Sequence, residues 1–203
     1  MDSIKIENPE EEILNAAKDI FQQKGMAGAR MQEIADKAKI NKALLHYYYR
    51  SKQLLFEAVF KNAFNLLAPQ IGKVLNDDTD LFEKIRNFTN NYVSFVIKHP
   101  YLPNFVIQEL NRNPEFIEKL RASENFPSTE KFKLQVVTAI NEGKIRTIES
   151  EQLLINIIAM NIFPFIGEPL LMALTNVDKK KYDELLQNRK TEAAEFIINA
   201  IKI

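Results

Sequence analysis

Apolar residues recur along this chain every three to four positions, with little of the strict alternation that a half-buried strand requires. That period decides the fold class. Only five glycines interrupt 203 residues, and the rest is rich in Leu, Ile, Ala, Lys, Glu, Gln and Asn, which helices accommodate well. The chain is therefore expected to be all-α. Ile13, Ala17, Ile20 and Phe21 fall at i, i+4, i+7 and i+8, predicting a helix over residues 9–24 that Gly25 ends at its C′ position. Two short helices follow, over residues 31–38 and 42–48. Lys52 then opens a long one through Leu54, Leu55, Ala58, Val59, Ala63, Leu66 and Leu67, with Pro69 in it or near its end.

Asp78 or Asp80 can cap the next helix, whose apolar positions Leu81, Ile85, Phe88, Tyr92, Phe95 and Val96 keep helical spacing until Pro100 stops it. Pro100, Pro103, Pro114 and Pro127 divide the middle of the chain into short pieces. A helix over residues 128–142 ends at Gly143. Ser150 reads as the cap of another that reaches Phe163 and Pro164. The last helix starts near Asp178 and carries Leu185, Leu186, Arg189, Ala193, Phe196, Ile197, Ala200 and Ile201.

Composition removes whole classes of chemistry. Without cysteine there are no disulfides, thiolate nucleophiles, iron–sulfur clusters or Cys-containing zinc sites. His46 and His99 are the only histidines, and no nucleophile motif or Gly-rich phosphate loop appears. No catalytic residue, cofactor or metal site is expected, so the chain does not read as an enzyme. Residues 1–12 hold five acidic side chains against Lys5, unlike a signal peptide. The most apolar stretch, residues 153–166, is too short for a bilayer span and is interrupted by Asn156, Asn161 and Pro164. No membrane association is expected, and the location expected is the cytoplasm.

Charge is balanced overall, 27 Lys and Arg against 27 Asp and Glu, but it is not evenly spread. Residues 24–52 carry Lys24, Arg30, Lys37, Lys39, Lys42, Arg50 and Lys52 against Glu33 and Asp36, a net of +5. Basic charge on a short helical unit attracts phosphates, although a solvated basic face has the same composition. Spacing narrows the choice. Ile34, Ala35 and Ala38 form a small apolar face on one short helix, Leu45 and Tyr49 form one on the next, and Lys39, Ile40 and Asn41 make the turn. Small Ala35 permits close helix approach, Ile40 plugs the space beneath the turn, and Asn41 can cap the second helix. A helix-turn-helix needs these things, and its second helix lies in the DNA major groove.

The segments ILNAAKDIFQQKG and MQEIADKAKINKALLHYYYRSKQLLFEAVF, over residues 13–60, resemble the TetR (tetracycline-repressor-like) transcriptional regulators. Ala16, Ala17, Phe21, Gly25, Ile34, Ala35, Ala38, Leu45, Tyr48, Tyr49, Ser51, Lys52 and Leu55 carry the likeness. The sequence departs from the pattern at Lys39, where a turn Gly is usual, at Ala43 (often Gly), Leu44 (often Thr), His46 (often Tyr) and Ala29 (often a capping Thr). The resemblance implies a helix-turn-helix DNA-binding domain over residues 1–52 and a helical bundle for ligand binding and dimerisation over residues 53–203. Base edges would then be met by Lys42, Ala43, Tyr47 and Gln32. Chemically, Lys42 can donate to guanine O6 or N7, Gln32 can pair with adenine, and Ala43 or Leu44 can touch a thymine methyl. Phosphates would fall to Arg30, Asn41, His46, Tyr48 and Lys52.

For the larger part of the chain, fourteen Phe and six Tyr make either an aromatic core or an apolar ligand cavity. The resemblance implies the cavity, with Phe88, Tyr92, Phe95, Phe105, Phe132 and Phe163 as lining candidates for an unidentified small effector. It also implies a homodimer through the last two helices, residues 150–163 and 178–203, and hence an inverted repeat in double-stranded DNA. Effector binding would change the spacing of the two recognition helices, with the helix from Lys52 as the lever, and release the DNA. The competing expectation is a helical ligand- or protein-binding module with weak, sequence-indifferent DNA binding.

Overall fold

The computed structural model of the protein describes residues 8–122 and 126–203. Eleven α-helices occur among them: α1 (Pro9–Gly28), α2 (Met31–Lys37), α3 (Lys42–Tyr48), α4 (Lys52–Asn76), α5 (Leu81–Lys98), α6 (Leu102–Arg112), α7 (Glu115–Arg121), α8 (Glu130–Asn141), α9 (Ser150–Ile166), α10 (Glu168–Thr175) and α11 (Lys179–Ile201). The described residues hold no strand, only an isolated antiparallel bridge between Ile145 and Lys202. The fold is all-α, as the periodicity predicts. Most of the acidic opening stretch lies outside the described residues. The chain divides within α4 into two compact units, one ending at Phe64 and the other beginning at Asn65.

In the N-terminal unit α1 buries Ile13, Ala16, Ala17, Ile20 and Phe21 on one face. Asn8 caps it, accepting from the Glu11 N–H, and Glu10, Glu11 and Glu12 suit the positive end of its dipole. The helix end expected at Gly25 is a break instead. Gly25 takes φ 65° and ψ 175°, and one more turn runs on to Gly28. Only glycine adopts that conformation without strain. Leu55, Phe56, Val59 and Phe60 of α4 are buried, and the Phe56 ring meets Phe21 edge-to-face at 5.0 Å. The early turns of α4 therefore belong to the N-terminal core.

The C-terminal unit is built on α5, which packs closely along α11 and also meets α8 and α9. Ile85, Phe88, Tyr92, Val93 and Val96 supply the α5 face; Ala193, Ala194, Ile197, Ile198 and Ile201 supply that of α11. The adjacent alanines let the two helices approach. Asp80 caps α5, its carboxylate accepting from the Phe82 and Glu83 N–H groups, and Asp178 caps α11 through the Lys181 N–H. Ser150 is not a cap. It is the first residue of α9, and its hydroxyl donates to Glu151.

Two details of this unit escape periodicity. Lys84 is 1% exposed, and its three ammonium hydrogens are all used: by the Val74 carbonyl (2.7 Å), the Asp77 carbonyl (3.0 Å) and the Asp77 carboxylate (2.5 Å). A buried cation thereby closes the carbonyl end of α4. The second detail is α10. Gly167 bends the apolar run after α9 by 81°, so the stretch between Pro164 and Asp178 is a separate helix. No single helix among the described residues is long and apolar enough to cross a membrane.

Candidate nucleic-acid interface

The helix-turn-helix forms from the residues that its spacing named. Ile34 and Ala35 of α2 and Leu45 of α3 are fully buried, and Ala38 nearly so. At the end of α2 the Ile40 N–H donates to the Ala35 carbonyl (3.0 Å) and the Lys39 N–H to the Asp36 carbonyl (3.1 Å). These paired bonds require a left-handed residue at position 39, and Lys39 has φ 56°. Asn41 then caps α3, its side-chain oxygen accepting from the Leu44 N–H at 2.7 Å. The amide N–H groups of Asn41 stay available to a further acceptor.

Leu45 alone anchors α3, and the rest of that helix faces outward. Lys42, Ala43, His46, Tyr47 and Tyr48 are exposed, Tyr47 at 80%, while Leu44 is half-buried. The Tyr47 and Tyr48 rings meet at right angles, 5.5 Å apart. Tyr49 turns inward and donates its hydroxyl to Glu10 (3.2 Å); burial and the Glu10 charge push its phenol up to about 12. Positions 42, 43, 46 and 47 share one face at helical spacing, so α3 offers a polar and aromatic edge of the width a major groove admits.

Besides Asn41, two of the expected phosphate and base contacts are already engaged. Lys52 donates to the Ala27 and Ala29 carbonyls (3.3 and 3.1 Å), fastening the end of α1 to the start of α4. One ammonium hydrogen is left for a phosphate. Gln32 is exposed in the first turn of α2, and its amide donates to Asp36 at 2.8 Å, which leaves one N–H and the carbonyl oxygen for adenine. Arg30, the exposed residue ahead of α2, forms no ion pair among the described residues.

The basic charge is sorted by ion pairs that composition does not reveal. Lys24 pairs with Glu33 (3.0 Å) and holds its carboxyl below the usual range; Lys37 pairs with Asp19 (2.9 Å). Arg30, Lys39, Lys42 and Arg50 remain exposed cations without an ion pair among the described residues. Lys39 and Arg50 stand outside the contacts inferred from sequence. The available signal for Lys39 was its place in a position that favours glycine.

In the C-terminal unit Phe88, Tyr92, Phe105 and Phe132 are buried and Phe95 half-buried, but Phe163 is 47% exposed on α9 and stands apart from that set. Phe88 and Tyr92 stack with centroids 5.6 Å apart. The Tyr92 hydroxyl is buried without a hydrogen-bond partner among the described residues, and burial raises its pKa.

Residues 13–59 match the family model described as bacterial regulatory proteins, tetR family. The HTH-type transcriptional regulator RutR of Escherichia coli K12 is 27% identical over 188 residues, 92% of this chain and 86% of that protein. The HTH-type transcriptional repressor NicS of Pseudomonas putida is 28% identical over 88 residues, 43% of this chain and 42% of its own length. Among solved structures, a TetR-family transcriptional regulator from Haemophilus influenzae superposes with a TM-score of 0.64 at 16% identity, covering 96% of this chain and 97% of that one. These likenesses favour a DNA-binding regulator over a ligand-binding module with incidental affinity for DNA, and over an enzyme. A helix-turn-helix with an outward-facing second helix, a family model matched over residues 13–59 and a fold shared along the chain lead to one conclusion: the protein is similar to the bacterial transcriptional regulators of the TetR family, and its N-terminal unit carries their DNA-binding pattern.

Proposed function

We propose that the protein is a homodimeric, effector-responsive repressor that holds an inverted-repeat operator through α3 and releases it when a small, largely apolar molecule binds. The observation that carries the DNA reading is the one-sided burial of α3, where Leu45 is 0% exposed and Tyr47 80%. Lys42, Ala43, Leu44, Tyr47 and Gln32 face bases in this reading; Arg30, Asn41, His46, Tyr48 and Lys52 face phosphates. Repression accords with NicS, a transcriptional repressor similar over 43% of this chain. Binding to the chromosome puts the protein in the cytoplasm.

Dimerisation is supported by large apolar side chains left in solvent: Ile155 and Phe163 on α9, Leu185 and Phe196 on α11. A two-fold pairing would bury each of them twice and set two α3 helices on successive major grooves. The effector reading rests on the aromatic cluster and the Tyr92 hydroxyl, a buried donor with no acceptor among the described residues. The residues from Lys52 onward form the DNA-binding domain's covalent continuation into the larger domain. The test is selection from random duplex DNA by the purified protein near physiological salt. An enriched inverted repeat is expected; no enrichment with or without apolar ligands would overturn the reading.

A further inference from the structure

We infer that Lys39, at the turn between α2 and α3, is a DNA phosphate contact, retained for its charge at a backbone position that glycine would fill with less strain. The inference rests on the DNA-binding reading proposed above. Position 39 is the C′ residue of α2, fixed by the Ile40-to-Ala35 and Lys39-to-Asp36 hydrogen bonds, and its φ is 56°. Side chains beyond Cα clash with the neighbouring carbonyl there, whereas glycine does not. Inside the unit, little offsets that strain. The Lys39 side chain is exposed and forms no hydrogen bond or ion pair among the described residues.

Position supplies the reason. Lys39 lies two residues ahead of Asn41, the cap of α3, and three ahead of the exposed Lys42. The end of α2 presents carbonyls and Asp36 beside the helix that enters the groove, while Lys37 of the same turn is held in its pair with Asp19. Phosphates approaching α3 would be repelled by that end. A cation at the C′ position cancels the repulsion and supplies a phosphate partner, which glycine cannot do. A strained residue at a functional surface points from the strain to the function.

Three variants of the full chain decide the matter, each tested by thermal melting and by binding to a mixed-sequence 30-base-pair duplex over a salt series. Lys39→Gly is expected to melt a few degrees higher than the wild type. It should nevertheless bind the duplex about three- to tenfold more weakly, with a log–log salt slope smaller by about one per chain. Lys39→Gln should lose the same affinity without the gain in melting temperature, and Lys39→Arg should keep both affinity and slope. Wild-type affinity and slope in Lys39→Gly and Lys39→Gln would overturn the inference while leaving the DNA reading intact. Failure of the wild type itself to bind duplex at low salt would overturn that reading, and this inference with it.

Discussion

Arg189 of α11 donates through Nη2 to the Met160 carbonyl of α9, 2.5 Å away, and Met160 is the residue whose carbonyl Pro164 cannot bond. Proline has no N–H, so the i−4 carbonyl is left open in mid-helix. One helical turn further, the Pro164 carbonyl accepts from the Tyr182 hydroxyl at 2.7 Å, where α9 is about to end at Ile166. Two side chains of α11, seven residues apart, thus repair the backbone of α9. Arg189→Met is expected to destabilise the protein by about 1–3 kcal/mol, the range for leaving a partly buried acceptor unmade. Pro164→Ala restores the backbone donor. In its presence the Arg189→Met penalty should shrink, and a double-mutant cycle from urea midpoints measures the coupling. Strict additivity would contradict the repair.

The Lys84–Asp77 pair makes stability depend on acid. Burial raises the Asp77 carboxyl, but hydrogen bonds from Lys84 and Thr79 outweigh it and hold the group below its ordinary range. A depressed folded pKa means that stabilisation is complete above the unfolded value and is lost as pH falls through the folded one. Asp77→Asn should therefore destabilise clearly at pH 7, leaving Lys84 with backbone carbonyls alone, and approach the wild type at a pH well below the ordinary carboxylate range. Unfolding midpoints at the two pH values test this. A difference independent of pH would remove the charge from the explanation.

The Tyr92 hydroxyl gives a prediction of opposite sign. It is buried on α5 without a partner among the described residues, so Tyr92→Phe removes an unsatisfied polar atom while keeping the ring stacked on Phe88. The variant should be as stable as the wild type or more so, by up to about 1 kcal/mol. If the effector accepts a hydrogen bond from this hydroxyl, the same change weakens the ligand-induced release of DNA. Thermal melting and an operator-release titration separate the two effects, and a loss of stability would show that the hydroxyl already has a partner.

Local chemistry accounts for what could be read directly from sequence. Asn41, Asp80 and Asp178 act on backbone within a few residues of themselves, so their effects were visible in the chain, whereas Gly25 marked an interruption but not the turn that follows it. Ile34, Ala35 and Leu45 announced the helix-turn-helix because small and apolar positions must fall at fixed intervals for two short helices to touch. Lys84, Arg189 and Lys52 were opaque for the opposite reason. Each serves a carbonyl whose need arises only when another element ends, kinks or arrives. Phe163 marks the same limit: periodicity makes it apolar, but does not tell whether the surface it faces is a core or the outside.

Among the DNA contacts, Lys42 and Arg30 should separate by type. Lys42 is exposed at the first position of α3, so Lys42→Ala is expected to lower operator affinity about tenfold and relax the preference at one base pair in each half-site. Arg30 is the exposed residue ahead of α2, a charge that suits the phosphates any duplex offers. Arg30→Ala should weaken all duplexes alike and reduce the salt slope by about one per chain. Repeating the selection with each variant reads both outcomes. An unchanged sequence preference in Lys42→Ala would move that residue to the phosphate group.

The exposed apolar side chains of α9 and α11 yield the prediction with the largest consequence. Phe196 is 67% exposed, whereas Ala193, Ala194 and Ile197 on the same helix are buried in the core. A charge at position 196 therefore leaves the folded chain intact. Burying a phenylalanine contributes about 1.5–3 kcal/mol, and a two-fold interface contains it twice. Phe196→Glu should thus weaken dimerisation by at least a hundredfold, since two carboxylates would also be desolvated where two rings had met. Sedimentation across a concentration series should show monomer where the wild type is dimer, with unchanged helical circular dichroism. Affinity for the full inverted repeat should fall towards that for a single half-site, because two recognition helices no longer arrive together. A Phe196→Glu protein that remains dimeric and binds the full repeat as tightly as the wild type would place the interface on another face.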